Sequence, residues 1–521
     1  MTITFLFCYP LSGLPRTKAI QHIPFPSNPA PPVHRHDGKN QTGRPLTICV
    51  VRRLEAFVAG TCLDQRTING NMLADNSDVQ SAEQDCKQRH ADFPIHTPIV
   101  IHSRYGRVRA GIDLMGTQRL CMRSTNFVSL NLSDYEISPE QGFLPKDPLG
   151  HIPDSPALND LGRELPKLLS ARTVRRFIDE ARQLLHPIPP TWRTEDYRAA
   201  MRILSFCGHA YVWEVPDQPA ATLPPQLAQP WHQIATRLGR PPVLSYASYA
   251  LDNWRRLDKT KPIQLDNMVL LQNFLGGLDE EWFVVVHIQI EREAGPALAG
   301  LLRALRGAAE DKKDEVLLGL NSLALAQTAM RATLLRMTER CDPYVYYNRV
   351  RPYIHGWKNS PALPNGLDYQ GVESYGRQPQ QFRGETGAQS TIVPCLDAGL
   401  GIAHAPDPLT LYLQEMRDYM PPHHRAFLQA LETATDDRGR PLLAGYVRDR
   451  KSRTPDLWAA YSACVDLLAK FREIHIGYAD SYIYRQHQSH ASNPTAVGTG
   501  GTPFMPYLQK HLDETKQALV Q

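Results

Sequence analysis

The sequence lacks long apolar runs, and it has little strand-like alternation. No segment of the 521 residues approaches the ~18 consecutive apolar residues that a membrane-spanning helix requires, so we do not expect a membrane protein. The first residues, MTITFLFCYPLSG, are apolar but short and without a basic flank, so they are not predicted to be a signal peptide. With 42% hydrophobic and 21% charged residues, the composition indicates a soluble, cytoplasmic protein of two or three domains.

Excess positive charge is confined to the first quarter of the chain. Residues 1–128 contain 15 Lys and Arg against 9 Asp and Glu, whereas the remainder contains 42 against 44. The formal net charge of +4 therefore comes entirely from the first 128 residues. Because the rest carries no basic stripe, we expect no nucleic-acid partner.

The nine cysteines form neither a CxxC motif nor a metal-ligand spacing. Four of them follow residue 129 and lie in apolar contexts: Cys207, Cys341, Cys395 and Cys464. They are typical of reduced core thiols in a cytoplasmic protein.

Residues 1–128 differ from the rest of the chain in amino-acid composition. No tryptophan precedes Trp192, and the stretch IPFPSNPAPPV holds five prolines, which exclude a helix or a central strand. Within this part, HTPIVIHSRYGRVRAGIDL (96–114) could form a weak hairpin. We expect 1–128 to be a poorly ordered extension or to precede a true translation start at Met122; a folded domain is the alternative.

From residue 129 onward, apolar residues recur at three- and four-residue spacing. This pattern predicts an all-α protein, with a small helical domain at 129–275 and a larger helical bundle at 276–521. Long helices are expected from Glu280 to Arg306, with a kink at Pro296, and from Asp311 to about Arg340. The last long helix should begin with Thr454 as its N-cap.

One face of that last helix carries a histidine among apolar and aromatic residues. The face consists of Leu457, Tyr461, Cys464, Leu468, Phe471, His475, Tyr478 and Tyr482. Such a stripe should face the core, so His475 is predicted to point inward. It could be a core histidine bonded to a backbone carbonyl, or an axial ligand of haem iron, and periodicity does not distinguish the two.

Four separated motifs resemble the indoleamine 2,3-dioxygenase family. They are RPYIHGWKNSPALPNGLDYQG (351–371), FRGETGAQST (382–391), MRDYMPPHHRAFL (416–428) and GTGGTPFMPYL (498–508). The resemblance runs from about residue 131 to the C-terminus. It implies a two-domain all-α protein that binds haem b and inserts both atoms of O₂ across the C2–C3 bond of an indole. L-tryptophan would become N-formylkynurenine, and an electron donor would keep the iron ferrous.

The resemblance also implies roles for single residues. His475 matches the proximal haem ligand, and Arg472 with Asp397 matches a pair that supports the propionate side of the haem, although an ordinary ion pair is the alternative. Arg351 matches the arginine that binds the substrate carboxylate, and a planar guanidinium suits that task. His287 would be a distal hydrogen-bond partner for the indole N–H or bound oxygen, or a core histidine. The remaining predicted substrate contacts are Tyr246, Tyr249, Phe283, Tyr346, Tyr347, Thr386, Gly387 and Thr499.

Several positions depart from the family pattern. Tyr346 and Tyr347 stand where two phenylalanines are usual, and Tyr249 replaces a smaller residue of mammalian members. Glu385 stands where mammalian members have glycine, whereas fungal-like members share the acidic residue. The segment GTGGT (498–502) resembles a mobile loop that closes over the substrate. The departures leave open another indole or tryptophan derivative as the substrate. A non-catalytic haem-binding protein, against which Arg351 argues, and a haem-free helical interaction module are further alternatives.

Overall fold

The computed structural model describes residues 101–103, 106–108, 130–181, 188–215, 218–486, 498–501 and 503–519. The predictions for 1–128, including the start at Met122, lie outside these residues apart from two short strands. β1 (Ile101–Ser103) pairs with β2 (Gly106–Val108) in antiparallel register, as the weak hairpin prediction requires. This hairpin belongs to a compact unit of residues 1–113, and residues 114–521 form a second unit.

Helices carry almost all regular structure in the described part of the second unit, which confirms the all-α prediction. In chain order they are α1 Pro156–Ser170, α2 Val174–Glu180, α3 Thr194–Trp213, α4 Pro225–Leu238, α5 Leu278–Ala309, α6 Lys313–Leu335, α7 Pro343–Val345, α8 Arg351–Ile354, α9 Ile392–Leu400, α10 Pro408–Met416, α11 Pro422–Glu432, α12 Leu442–Arg448, α13 Pro455–Ala479 and α14 Phe504–Gln517. None of these described helices is long and apolar enough to cross a membrane. The division at 275/276 stays a prediction.

Short irregular elements connect the helices. The strands of this unit are β3 (Thr222–Leu223), parallel to β6 (Asp368–Tyr369), and β4 (Trp254–Arg256), antiparallel to β5 (Met268–Leu270). One-turn π-helices occupy Ala247–Leu251, Tyr346–Val350 and Asp480–Tyr484. One-turn π-helices inside helical proteins are frequent at functional sites, because they change which side chains face a cavity.

The long antiparallel pair α5 and α6 forms the centre of the bundle. A Cβ atom added at Gly300 would lie 2.7 Å from the carbonyl oxygen of Gly319, and one at Gly319 would lie 2.5 Å from that of Gly300. These two glycines therefore let the helix backbones touch. Helix α5 continues without interruption through Pro296, whose side chain is exposed.

Helix α13 packs on α6 and on α14. It begins after Thr454 with Pro455 in its first turn, as predicted. The predicted capping bond is wrong, however, because Thr454 Oγ1 donates instead to the carbonyl of Arg450, at 2.9 Å. The four cysteines after residue 129 are all buried and free, which confirms their assignment as core thiols.

Candidate active site

Helix α5 presents a half-buried pair, Phe283 and His287, one turn apart. The residues between them, Val284 to Val286, are buried in the core, so this face alone opens on to a recess. The two rings are 4.7 Å apart between centroids. The predicted distal residues therefore share one face of α5 and line the same space.

The hydrogen bond made by His287 determines which ring nitrogen is available. Its Nδ1 lies 2.7 Å from the carbonyl oxygen of Phe283. Because a carbonyl only accepts, Nδ1 must carry the proton, and in the neutral ring Nε2 is then an acceptor. Burial lowers the pKa of His287, which favours that neutral form. The ring can thus accept a hydrogen bond at Nε2.

Tyrosines from two segments, 246–251 and 346–350, lie against Phe283 and His287. Tyr346, from the π-turn 346–350, lies 4.5 Å from the Phe283 ring, and Tyr249, from the π-turn 247–251, lies 6.4 Å away. Tyr246 lies 6.2 Å from the ring of His287. Four predicted contacts are therefore assembled around His287, and they form a wall suited to a flat aromatic ring.

Arg351 is the first residue of α8 and is 0% exposed. Its guanidinium lies 5.5 Å from the ring centroid of Tyr347, which is also fully buried. Burial lowers the pKa of Arg351, and its charge in turn affects the hydroxyl of Tyr346. Arg351 is therefore not a surface arginine. Tyr347 supports Arg351, whereas Tyr346 packs on the aromatic wall.

The glycine-rich loop 382–391 connects these segments. Gln389 accepts a hydrogen bond from the backbone N–H of Tyr246 (2.9 Å) and donates to the carbonyl of Gly384 (2.9 Å). Ser390 donates to Glu291 of α5 (2.8 Å). Burial raises the pKa of Glu291 to about 7, although the bond from Ser390 opposes this. The loop thus holds α5 and segment 246–251 at a fixed separation.

The other predicted loop residues are Thr386, Gly387 and Thr499. Thr386 caps the short turn 387–389 by accepting from the N–H of Ala388, and Gly387 is exposed with open space where a side chain would be. Thr499 donates its hydroxyl proton to the carbonyl of Glu385. The segment 498–501 therefore rests on the loop, while 487–497 and Thr502 lie outside the described residues.

On the opposite side, Arg472 of α13 forms a buried ion pair with Asp397 of α9, at 2.6 Å. Asp397 also lies 3.2 Å from His404, and Arg472 contacts Thr515. Burial raises the pKa of Asp397, but Arg472 and His404 outweigh it and lower the pKa to about 2. The predicted pair exists, and Asp397 is ionised at neutral pH.

His475 lies one turn after Arg472, and its side chain is accessible rather than covered by core residues. The apolar stripe is covered up to Leu468 and again at Tyr482, but between them the helix face is open and His475 is exposed. Helical periodicity shows which residues share the His475 face of α13, but it does not show whether another element covers that face. Protein nevertheless surrounds the ring, since burial, with the charges of His287 and Arg472, lowers the pKa of His475 to about 4.

These features fit a haem group held by His475. The ring is neutral at physiological pH, and among the described residues no hydrogen bond occupies either of its nitrogens. A neutral imidazole is the form that binds iron. The charges of His287 and Arg472 both act on His475, so the three side chains lie in one region of the protein, and Asp397 is paired with Arg472 there.

A cavity of about 630 Å³ lies elsewhere. Among its lining residues are Arg198, Arg240, Asp252 and His424, and none of the predicted site residues lines it. We place the active site at the histidine recess, because the acceptor, the buried cation and the aromatic wall converge there.

A model of the indoleamine 2,3-dioxygenase family matches residues 131–518. The chain belongs to this family. Human indoleamine 2,3-dioxygenase 2 is 32% identical to it over 407 residues, and rat indoleamine 2,3-dioxygenase 1 is 34% identical over 410 residues. Each match covers 75% of this chain and 96% of the relative. The indoleamine 2,3-dioxygenase of Saccharomyces cerevisiae is 32% identical over 433 residues, covering 74% of this chain and 92% of the yeast protein.

Indoleamine 2,3-dioxygenases are oxidoreductases that incorporate both atoms of O₂, and the chain is a dioxygenase of this type, haem-dependent and acting on tryptophan or another indole. Sequence reasoning missed three residues that organise its site: Glu291, Gln389 and Ser390. The one available signal was Glu291, a carboxylate one turn after His287 on the same helix face. The links from Gln389 and Ser390 join residues 143 and 99 positions apart, which no local pattern reveals.

Proposed function

We propose that this dioxygenase cleaves the C2–C3 bond of L-tryptophan with O₂ to give N-formylkynurenine, using haem b held by His475. The observation that carries the proposal is Arg351, a fully buried cation beside an aromatic wall. A guanidinium can bind a carboxylate through two parallel hydrogen bonds. An indole bearing a carboxylate matches both features.

When bound, haem supplies the iron that activates O₂ for insertion into the indole, and an external donor supplies the electron that keeps the iron ferrous. The protein's own side chains hold the substrate in a fixed position and orientation. Arg351 would hold the carboxylate end, while Phe283, Tyr346 and Tyr249 would fix the plane of the ring. Fixing both ends of a reactant lowers the barrier by removing unproductive orientations before the reaction.

In this proposal His287 orients the indole through its N–H. Nε2 is an acceptor, so it suits a donor such as the indole N–H and does not suit an oxygen atom that itself needs a donor. The low pKa makes His287 a weak base. We therefore assign it an orienting role and not proton abstraction.

The loop residues would exclude water. Thr499 packs on Glu385, and Gly356 donates to the carbonyl of Thr499 at 3.4 Å, so segment 498–501 covers the loop beside α8. Covering the site strengthens the Arg351–carboxylate contact, because electrostatic interactions are stronger where water is excluded.

The full chain, loaded with haem and reduced, should convert L-tryptophan in air to N-formylkynurenine. With ¹⁸O₂, mass spectrometry should find both oxygen atoms in the product. Arg351→Lys should raise KM for L-tryptophan about tenfold or more, because a lysine provides charge without the bidentate geometry. Arg349→Lys is the matched control, since Arg349 is exposed two residues away. Absence of product from reduced, haem-replete protein would refute the proposal.

A further inference from the structure

Glu385, in the glycine-rich loop, is a buried carboxyl group to which the proposed mechanism assigns no role. It is 5% exposed, and its side chain accepts no hydrogen bond and forms no ion pair in the described part of the chain. Its carboxylate oxygens nevertheless keep some accessible surface, so they border open space. A buried, unpartnered carboxyl group that borders a cavity is free to bind a ligand.

The backbone places Glu385 next to the carboxylate-binding arginine. The N–H of Glu385 donates to the carbonyl of Ile354 at 3.1 Å, and Ile354 is the last residue of α8, which begins at Arg351. Glu385 is therefore anchored one helical turn from Arg351. The backbone of Glu385 is thus tied to the helix that carries Arg351.

Electrostatics place the Glu385 side chain at the aromatic wall. Its charge raises the pKa values of Tyr246, Tyr249 and Tyr346, in each case after the larger effect of burial. Tyr346 is affected by Arg351 as well, in the opposite direction. Tyr346 thus lies within reach of both a cation and a carboxyl group.

We propose that Glu385 binds the α-ammonium group of the substrate and, with Arg351, selects zwitterionic α-amino acids over indole acids and indole amines. The inference rests on the proposed function, and it adds the residue that distinguishes an amino acid from its deaminated analogue. An α-amino acid carries its carboxylate and ammonium on one carbon, which matches an arginine and a glutamate one helical turn apart. Burial raises the pKa of Glu385 to about 8, so a cation placed beside it would stabilise its ionised form.

Three ligands separate the contributions of the two charges. L-tryptophan carries both groups, tryptamine carries only the ammonium, and indole-3-propionate carries only the carboxylate. Their affinities are measured by calorimetry on the haem-loaded full chain, for wild type, Glu385→Gln and Arg351→Gln. Glu373→Gln is the matched control, because Glu373 is exposed and undergoes the same chemical change.

Glu385→Gln should weaken binding of L-tryptophan and tryptamine about tenfold or more, since a hydrogen bond between two charges is lost, and change indole-3-propionate by less than about threefold. Arg351→Gln should weaken L-tryptophan and indole-3-propionate but spare tryptamine. Glu373→Gln should change none of them.

Unchanged affinity of Glu385→Gln for L-tryptophan and tryptamine overturns the inference while leaving the proposed function intact. Equal weakening of all three ligands also overturns it, because that pattern indicates a structural role. A wild type that binds none of the three overturns the proposed function, and the inference falls with it. Haem absorbance and thermal unfolding of each variant confirm that the fold persists.

Discussion

Gly356 and Gly384 lie back to back, so that a Cβ atom on either residue would come within 2.1–2.2 Å of the backbone nitrogen of the other. Gly356 follows α8, which carries Arg351, and Gly384 precedes Glu385 in the glycine-rich loop. Their contact joins the arginine segment to the loop without any side chain between them. The positions of Arg351 and Glu385 therefore depend on glycine at both 356 and 384, because a side chain at either position would push the two segments apart.

Gly384→Ala should destabilise the protein by about 3 kcal/mol or more, because backbone atoms of residues 354–356 leave the new methyl group no space. Gly387→Ala, three residues along the same loop, should change the free energy of unfolding by less than about 0.5 kcal/mol, because nothing lies within 4 Å of its added Cβ. Denaturant unfolding of the two variants measures both values. Equal stabilities would show that the close approach is not real.

His475→Ala should abolish stable haem binding while leaving the fold intact. The side chain is exposed, so its removal opens no cavity in the core and should change the free energy of unfolding of the haem-free protein by less than about 1 kcal/mol. Titration of haem, followed by its Soret absorbance, measures the loss, and added imidazole should restore binding by taking the place of the missing ring.

The control for this variant is His151→Ala, which removes an exposed histidine outside the site. Wild-type haem affinity in His475→Ala would show that another group binds the iron.

His287→Ala should weaken L-tryptophan binding by about three- to tenfold, the usual effect of one lost hydrogen bond, and turnover should persist. L-tryptophan methylated on the indole nitrogen has no N–H to donate, so its affinity should be the same in the variant and the wild type. Complete loss of turnover at normal haem content would contradict the orienting role and favour proton transfer by His287.

The long helices and the candidate site could be predicted from the sequence to different extents. Helices α5 and α13 were predictable because burial imposes a 3.6-residue period, and motifs identified Arg351 and His475. The exposure of His475 was not predictable, since a periodic pattern shows which residues share a face but not whether another element covers it. Likewise the bond from the N–H of Tyr246 to the side chain of Gln389 depends on the tertiary fold, which places an amide beside the π-turn 247–251.

Three buried carboxyl groups resist ionisation, so the contribution of each to the free energy of unfolding should fall as the pH rises from about 4.5 to 8. Burial raises the pKa of Glu280 to about 7, although backbone N–H groups from Phe274 to Gly276 oppose it, and raises those of Glu291 and Glu385 to about 7 and 8. In the unfolded chain these groups ionise near pH 4.5, so between the two values the folded state holds more protons and loses stability as the pH rises. Each group contributes up to about 1.4 kcal/mol per pH unit in its window.

Glu385→Gln isolates one of these contributions. Its stability should be close to that of the wild type at pH 5, where Glu385 is protonated when folded, and should exceed it by about 2 kcal/mol or more at pH 8. Buried histidines such as His424 titrate in the opposite sense below about pH 6.5, but they are common to both proteins and cancel in the difference. Urea unfolding of the haem-free proteins at pH 5, 6.5 and 8 measures this difference, with Glu373→Gln as the control. A gap between wild type and Glu385→Gln that stays constant with pH would mean that Glu385 ionises as readily in the folded protein as in the unfolded chain, and that its carboxyl group is not held in a desolvated wall beside Arg351.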